Sequence, residues 1–463
     1  MKVDNLAILG GGESGVGAAL LAKKVGISVF LSDSGILDPK YKEILIQNSI
    51  SFEEGKHTEE RILTAGEIIK SPGISRSAAI IKLALSRSIP VIGELEFASR
   101  YTQAKLIAIT GSNGKTTTSL LTYQILKNAG IKVGLAGNIG RSFALQVARE
   151  SHEVYVLEIS SFQLEDQFKF KADIAVLLNI TADHLDRYEY SLEKYAHAKF
   201  RIIQNQTLQD AFIYCLDDPE TTKYMENYTI KGQRYGFTLD SRLPESSKAA
   251  PENEINSNSV DLGAFLNNNT VNIQTRNKPF HMSIFDLSLE GKHNIYNTMA
   301  AGICAKILDI SNDTIRESMS NFKNIAHRLE PVAKVQGIEF INDSKATNVN
   351  SVWYALETMQ SPVIWIAGGV DKGNDYSMLT NLVRTKVKAI VCLGKDNGAL
   401  YRAFENEVEI MVNAFSAKEA VQLAYHLGKK GDTVLLSPAC SSFDLFKNYE
   451  DRGDQFKEAV REL

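Results

Sequence analysis

The stretch Lys105–Thr118, reading Lys-Leu-Ile-Ala-Ile-Thr-Gly-Ser-Asn-Gly-Lys-Thr-Thr-Thr, limits the possible folds of this chain more than any other. Leu106–Ile109 is a short β-branched apolar run that reads as a buried strand, and Thr117–Gly130 reads as the helix that follows. A glycine-bearing loop between such a strand and helix implies a parallel α/β sheet and a phosphate-binding turn. Gly111 and Gly114 let backbone N–H groups converge on anionic oxygens, with Ser112 and Asn113 between them. Lys115 supplies a point charge, Thr116 offers a hydroxyl to Mg²⁺, and Thr117 opens the helix whose dipole adds to the site. This is the shorter Gly-x-x-Gly-Lys-Thr form, because Ile109 stands where a Walker A sequence has its first glycine.

With 463 residues, 44% of them apolar, the chain predicts two to four domains, each with a core. The net charge of −4 is spread over interspersed signs, leaving no basic stripe, so nucleic acid is not an expected partner. No run of about 18 apolar residues occurs, and the N-terminus lacks a charged segment leading into a signal core. The expectation is a cytoplasmic, monomeric enzyme without membrane insertion. Cys215, Cys304, Cys392 and Cys440 are widely spaced and form no Cys-x-x-Cys pair, which predicts four free thiols.

Three regions follow, 1–94, 95–324 and 325–463, each patterned as α/β. In the first, Asn5–Leu9 leads into Gly10, Gly12 and Gly15 in Gly-x-Gly-x-x-Gly spacing, then a helix, the strand Ser28–Ser32 and Asp33. This is a Rossmann-like βαβ that suits any nucleotide diphosphate, so the ligand stays open. A second turn, Ser71-Pro72-Gly73-Ile74, follows the apolar pair Ile68-Ile69.

In the middle region the strands Val154–Leu157 and Ala172–Leu178 end in Glu158 and in Asn179-Ile180-Thr181-Ala182-Asp183-His184. In a mostly parallel sheet such ends gather beside Lys115, where Glu158 and His184 could meet Mg²⁺. Ser191–Gln204 reads as helical, and residue physics alone gives its Lys199 only a solvated role. Asn294 and Asn297, three apart near a helix start, suit capping and the reading of a base edge equally. Arg242–Asn269, rich in Ser, Asn, Glu and Pro, reads as a loop or weakly ordered insertion. In the last region, Ile338–Asn342, Val363–Ala367, Ala389–Leu393 and Thr433–Leu436 are four strands whose polar end loops form a site. There Lys372 and Ser442 suit a small carboxylate or a cap, and Cys440, with no base partner in view, reads as a buried small residue.

Taken in order, Gly-Ser-Asn-Gly-Lys-Thr-Thr, Gly-Asn-Ile-Gly, Leu-Glu-Ile-Ser-Ser-Phe-Gln-Leu, Asp-His-Leu-Asp-Arg-Tyr, His-Asn-x-x-Asn, His327-Arg328, Asn-Asp-Ser-Lys-Ala-Thr-Asn and Leu-Ser-Pro-Ala-Cys-Ser-Ser-Phe-Asp resemble the Mur ligase family. The likeness spans nearly the whole chain except Arg242–Asn269, and the last two motifs resemble the members that add D-glutamate. It implies a Rossmann-like N-terminal domain holding a uridine diphosphate substrate, a central P-loop ATPase-type domain and a Rossmann-like C-terminal domain for the amino acid. The substrates it implies are UDP-N-acetylmuramoyl-L-alanine, D-glutamate and ATP with two Mg²⁺ ions.

Carried over by motif, Ser14, Asp33, Ser34 and Gly73 would contact the uridine nucleotide. Lys115 and Thr116 would hold ATP phosphates and Mg²⁺, Asn138 and His184 would face the substrate, and Glu158 and His184 would bind metal. Asn294 or Asn297 would read adenine, Arg328 and Asp343 would close over the nucleotide, and Thr347, Lys372, Ser442 and Tyr449 would surround D-glutamate. Lys199 matches the lysine that family members carbamylate, which would give it a metal-binding negative charge. A ligase of the same architecture adding another amino acid is the nearest rival. An NAD-dependent dehydrogenase built on Gly10–Gly15 leaves the middle region unexplained, and ATP-dependent phosphate release would exclude a nucleotide-binding module without turnover.

Overall fold

The computed structural model describes residues 4–183, 185–241, 262–289, 291–322, 326–371 and 373–463. Five strands, β1 (Asn5–Leu9), β2 (Ser28–Ser32), β3 (Ser51–Glu53), β4 (Glu67–Lys70) and β5 (Val91–Gly93), pair in parallel in the order β3-β2-β1-β4-β5. The chain reverses its direction of travel across the sheet between β1 and β4, so the glycine turn after β1 and the Ser71 turn after β4 lie at a switch point. In open parallel sheets that is where ligands bind.

Among the described residues the second sheet has nine strands. They are β6 (Lys105–Thr110), β7 (Val133–Gly137), β8 (Val154–Glu158), β9 (Ile174–Leu177), β10 (Ala211–Cys215), β11 (Gln233–Thr238), β12 (Leu262–Asn267), β13 (Thr270–Gln274) and β14 (Phe280–Ser283). Their order, β14-β13-β12-β11-β10-β9-β6-β8-β7, places β6 between β8 and β9, with every pair from β7 to β12 parallel and the last three strands antiparallel. The central strands are covered on both faces, which is why β8 is buried at every residue and reads as an unbroken apolar run. Ile107, Ile109, Val156 and Val176 are wholly buried, each contributing about 1.5–3 kcal/mol of hydrophobic stabilisation.

The third sheet consists of β15 (Glu330–Val335), β16 (Ile338–Asn342), β17 (Val363–Gly368), β18 (Val387–Leu393), β19 (Ile410–Ala414) and β20 (Thr433–Ala439) in the order β15-β16-β20-β17-β18-β19. Only β15 is antiparallel. The sequence reading found four of these six strands. It missed β15 and β19, the two edge strands, which are largely half exposed or exposed and carry at most three apolar residues in a row.

A second correction concerns Arg242–Asn269, read as a loop. Its end is strand β12, joined to β13 by Asn268-Asn269, both at positive φ (47° and 58°) as a tight hairpin turn requires. A side chain at Gly263 would lie 1.7 Å from the Gly236 carbonyl, so two glycines bring β11 and β12 together where β-branched residues would otherwise advertise a strand. Residues 242–261 lie outside the described ones.

The chain forms two compact units, Met1–Ile180 with Ser191–Phe322, and Thr181–Tyr190 with Lys323–Leu463. The first carries the first two sheets. In the second, the Asn348 amide donates to Asp183 at 3.4 Å, tying the short segment to the third sheet. Among the described residues no helix is long and apolar enough to cross a membrane.

Candidate active site

The turn after β6 is shaped by its glycines. Gly111 (φ +153°) and Gly114 (φ +82°) adopt backbone conformations that L side chains rarely enter, and a Cβ on Gly114 would lie 2.3 Å from the Asn297 amide oxygen. Gly114 caps the helix Lys115–Asn128 without a side-chain cap bond, leaving its first turn open to an anion. Asn179, at the end of β9, braces the loop. Its carbonyl accepts from Ser112 N–H at 2.9 Å, its amide oxygen accepts from Asn113 N–H at 2.9 Å, and its amide nitrogen donates to the Asn113 carbonyl at 3.2 Å. The Lys115 ammonium folds back onto the carbonyls of Gly111 and Ser112, 2.7 Å from each. Thr116 and Thr117 are buried at the helix start.

Glu158 ends β8, paired with Ile109 of β6 and Gly137 of β7, and so stands beside this loop. It is 1% exposed; one carboxylate oxygen accepts from the Asn138 amide at 2.9 Å, and the other is buried with no hydrogen-bond partner. A buried carboxylate oxygen without a donor is costly unless a cation meets it. Lys199 lies on the helix Leu192–Phe200 and is also 1% exposed, which overturns the reading of a solvated helical lysine. Its ammonium sits 4.5 Å from the Tyr195 ring centroid, and the Tyr195 hydroxyl shares a 3.1 Å hydrogen bond with Ser112 of the phosphate loop. Thr116 thus follows the loop at the helix start, Glu158 ends the strand beside the loop, and Lys199 is linked to it through Tyr195. His184 lies outside the described residues. Among those described, no three His, Cys, Asp or Glu side chains form a metal cluster; Mg²⁺ shared with nucleotide phosphates needs only one or two carboxylates from the protein.

Asn297 is 4% exposed behind the loop, where its oxygen accepts from Thr118 at 3.2 Å and its nitrogen donates to Asn294 at 3.2 Å. Neither asparagine caps, because Gly291 is the cap residue and both lie inside the helix Lys292–Ile307. In this geometry Asn297 supports Gly114.

In the first sheet, Asp33 follows β2 and braces two turns, one oxygen accepting from Gly11 N–H at 2.6 Å and the other from Gly35 N–H at 2.7 Å. The turns after β1 and β4 touch so closely that a Cβ on Gly10 would fall 2.3 Å from the Ser71 hydroxyl. Gly73 is exposed and a Cβ there would meet nothing, Ser34 is exposed, and Ser14 is half buried on the helix Glu13–Lys24.

In the second unit, Asp343 directly follows β16 and is 5% exposed; it accepts from the Ser437 hydroxyl at 3.0 Å and from Leu329 N–H at 3.2 Å. Burial pushes its carboxyl up to about 7, against the opposing pull of the Arg328 charge. Arg328 lies between His327 and Leu329, both at positive φ (63° and 38°), and its Nε is buried without a hydrogen-bond partner. Thr347 is half buried, Ser442 is 2% exposed, and Tyr449 opens the helix Tyr449–Arg461 with Lys345 5.1 Å from its ring centroid. Lys372 lies outside the described residues. Cys440 is 2% exposed beside the Tyr376 hydroxyl (3.3 Å), its thiol pushed by burial up to about 11, and all four cysteines are buried and free.

Sequence reading missed Arg452. Its guanidinium is 1% exposed and donates to the Ser344 hydroxyl and carbonyl (3.0 and 2.9 Å), the Cys440 carbonyl (3.3 Å) and the Gly368 carbonyl (3.4 Å). One side chain thus holds together the loops after β16, β17 and β20. An arginine within the polar pattern of Tyr449–Arg461 carries no sign of this in sequence.

Comparison with known proteins agrees with this architecture. The family described as "Mur ligase MurD-like, N-terminal domain" matches residues 4–93, "Mur ligase middle domain" matches 109–305, and "Mur ligase, glutamate ligase domain" matches 327–440. The chain is 50% identical to a UDP-N-acetylmuramoylalanine–D-glutamate ligase of Porphyromonas gingivalis over 100% of its length and 99% of the relative's. It is 51% identical to the protein of the same name from Christiangramia forsetii, over 99% of each. A pseudomurein peptide ligase type C of Methanothermus fervidus shares the fold, with a TM-score of 0.61 at 21% identity over 99% of both chains. With full-length relatives at half identity and matching family patterns along all three sheets, this chain belongs to the Mur ligase family.

Proposed function

We propose that this chain is an ATP-dependent ligase that joins D-glutamate to UDP-N-acetylmuramoyl-L-alanine, giving ADP and phosphate, in the synthesis of a peptidoglycan precursor in the cytoplasm. The observation that carries this reading is the glycine loop Gly111–Gly114 with Lys115, bordered by the partnerless buried oxygen of Glu158. The relatives' shared name supplies the substrates.

A carboxylate is a poor acyl donor. In this reading the terminal carboxylate of the alanyl group attacks the γ-phosphorus of ATP, ADP leaves, and an acyl phosphate forms. The amine of D-glutamate then attacks the acyl carbon, and phosphate departs from the tetrahedral intermediate as the amine loses its proton. The loop amides and the Lys115 ammonium, turning from the carbonyls of Gly111 and Ser112, hold the phosphates against that charge build-up. Thr116, Glu158 and a carbamylated Lys199, with His184, would hold two Mg²⁺ ions, which neutralise phosphate and carboxylate charge when bound. Lys199 as an ammonium would repel a cation; as a carbamate it would attract one. Asn138 positions Glu158 and faces the acyl group. Arg328 and Asp343 serve the nucleotide, and Thr347, Lys372, Ser442 and Tyr449 serve the amino acid. Ser14, Asp33, Ser34 and Gly73 serve the uridine diphosphate. The domains are 1–94, 95–324 and 325–463, and the protein acts as a monomer.

The test is phosphate release from ATP with UDP-N-acetylmuramoyl-L-alanine, comparing D-glutamate with L-glutamate, L-lysine and glycine. Release that requires D-glutamate supports the reading. Release with another amino acid, or with none, would send the third-sheet site to a different substrate.

A further inference from the structure

We propose that Asp166 is a positioning residue for the nucleotide-sugar substrate, tethering both ends of the turn Ser71–Ser75 to the central sheet. This rests on the reading above that the first sheet binds a uridine diphosphate. Asp166 follows the short helix Ser161–Glu165, eight residues beyond Glu158, and is 1% exposed. One carboxylate oxygen pairs with the Lys70 ammonium, itself wholly buried at the end of β4, and the other accepts from Arg76 Nε at 3.0 Å. The Asp166 carbonyl also accepts from Gly93 N–H at the end of β5, at 3.0 Å. Lys70 immediately precedes Ser71, and Arg76 immediately follows Ser75. One carboxylate of the central sheet therefore grips the first sheet's ligand-facing turn on both flanks.

The neighbourhood makes this grip rigid. Glu96, wholly buried, accepts from the N–H groups of Phe168, Lys169 and Phe170 at 3.0, 3.0 and 2.7 Å, fixing the segment that follows Asp166. The Arg76 guanidinium lies 5.6 Å from the Phe168 ring centroid. The turn's own ladder contact, Ser71 N–H to the Leu9 carbonyl at 2.9 Å, places it against the glycine turn after β1. A substrate held by these turns must deliver its carboxylate to the loop beside Glu158. The distance between turn and loop is set through Asp166, and a misplacement of about 1 Å costs about a hundredfold in rate.

The experiment compares Asp166→Asn, Arg76→Ala and Arg76→Lys in the full chain. Arg76→Ala keeps the fold, since that side chain is 40% exposed and leaves the Lys70–Asp166 pair intact. The expected result is a rise of about tenfold in KM for UDP-N-acetylmuramoyl-L-alanine in Arg76→Ala, with KM for ATP and D-glutamate changed less than about twofold. Asp166→Asn is expected to show a larger rise together with a loss of kcat, and Arg76→Lys to recover part of the wild-type KM. Amide hydrogen exchange across residues 71–78 is expected to quicken in both tether-breaking variants while exchange in β6 does not. Unchanged KM for the nucleotide-sugar with only a lower melting temperature would make Asp166 a structural brace and overturn the proposal. If the unmutated chain does not turn over this substrate, the function reading fails, and unchanged exchange at 71–78 would then overturn the tether separately.

Discussion

At the end of β6 the phosphate loop is shaped from within: two glycines in left-handed or extended-positive backbone, a cation four residues from the first of them, and a brace from one neighbouring strand end. At the ends of β16, β17 and β20 the loops are shaped from outside, by the Arg452 guanidinium reaching carbonyls 108, 84 and 12 residues away in sequence. A site built of backbone can be written in six consecutive residues. A site built by a distant side chain cannot, and it depends on that side chain for its shape.

The largest effect separating the two is expected at Lys115. Lys115→Ala removes the charge that, in the proposed function, turns from the Gly111 and Ser112 carbonyls to the nucleotide phosphates, and should lower turnover by about a hundredfold or more. The fold should persist, because the loop keeps its glycine-set backbone and its brace by Asn179 without the Lys115 side chain. Measured kcat with an unchanged melting temperature tests this; near-normal turnover in a folded variant would remove the loop from the chemistry.

Lys199 sharpens the comparison, since its ammonium lies over the ring of Tyr195, whose hydroxyl meets Ser112 of the same loop, from a helix far along the chain. Lys199→Ala should lose most activity, and acetate or propionate should restore part of it by supplying negative oxygens in the vacated space. Reaction with CO₂ turns a side chain of charge +1 into one of charge −1, so bicarbonate depletion should also slow the unmutated chain. An active Ala variant, or a dead one indifferent to added carboxylates, would count against the carbamate.

Arg452 probes the other style of construction. Burial lowers the pKa of its guanidinium to about 10, and its hydrogen bonds run to carbonyls and one hydroxyl. Arg452→Met leaves those acceptors unmet in a buried space and should destabilise the second unit by about 3 kcal/mol, with KM for D-glutamate rising more than KM for ATP. Denaturant unfolding and substrate kinetics on the same preparation check both halves. Equal changes in the two KM values would show that the three loops keep their arrangement without it.

The contrast also explains what was legible. Strands β1, β2 and β16 have the bounds their apolar runs implied: β1 is buried along all but its first residue, and β2 and β16 are mostly buried with one exposed residue each, Ser28 and Glu339. Strands β15, β19 and β12 were not read, the first two because they are short, half-exposed edge strands without the pattern of a buried one and the third because Gly263 and the Asn268-Asn269 turn resemble a loop. At the site, Gly111, Gly114 and Glu158 could be placed from local sequence. The brace by Asn179, the burial of Lys199 and the staple of Arg452 could not, since each depends on residues distant in the chain meeting in space. Lys199 is the instructive case: its helix carries no apolar run that would announce burial, and only the family resemblance pointed to it.

The smallest expected effect compares two buried carboxyls, Glu94 in the first unit and Asp343 in the second, both pushed up to about 7 by burial. Glu94 accepts from the Ser142 hydroxyl at 2.7 Å and from Ala144 N–H at 2.6 Å, bonds that oppose the shift, while Glu13 adds to it. An unfolded carboxyl ionises near pH 4, so between about pH 4 and 7 the folded chain binds more protons than the unfolded one. The contribution of each group to stability is therefore full below about pH 4 and is lost progressively as pH rises towards 7. Glu94→Gln keeps a hydrogen-bond acceptor and removes the titration, so its melting temperature should fall less than the wild type's across that window, by an amount on the order of 1–3 kcal/mol in unfolding free energy. Its kcat against pH should match the wild type's, because Glu94 faces Ser142 and not the phosphate loop. Asp343→Asn should flatten the stability profile in the same direction and also alter KM for ATP, since Arg328 loses the carboxylate it faces. If Glu94→Gln shifted the pH dependence of kcat and Asp343→Asn did not, the assignment of Asp343 to the nucleotide would be reversed.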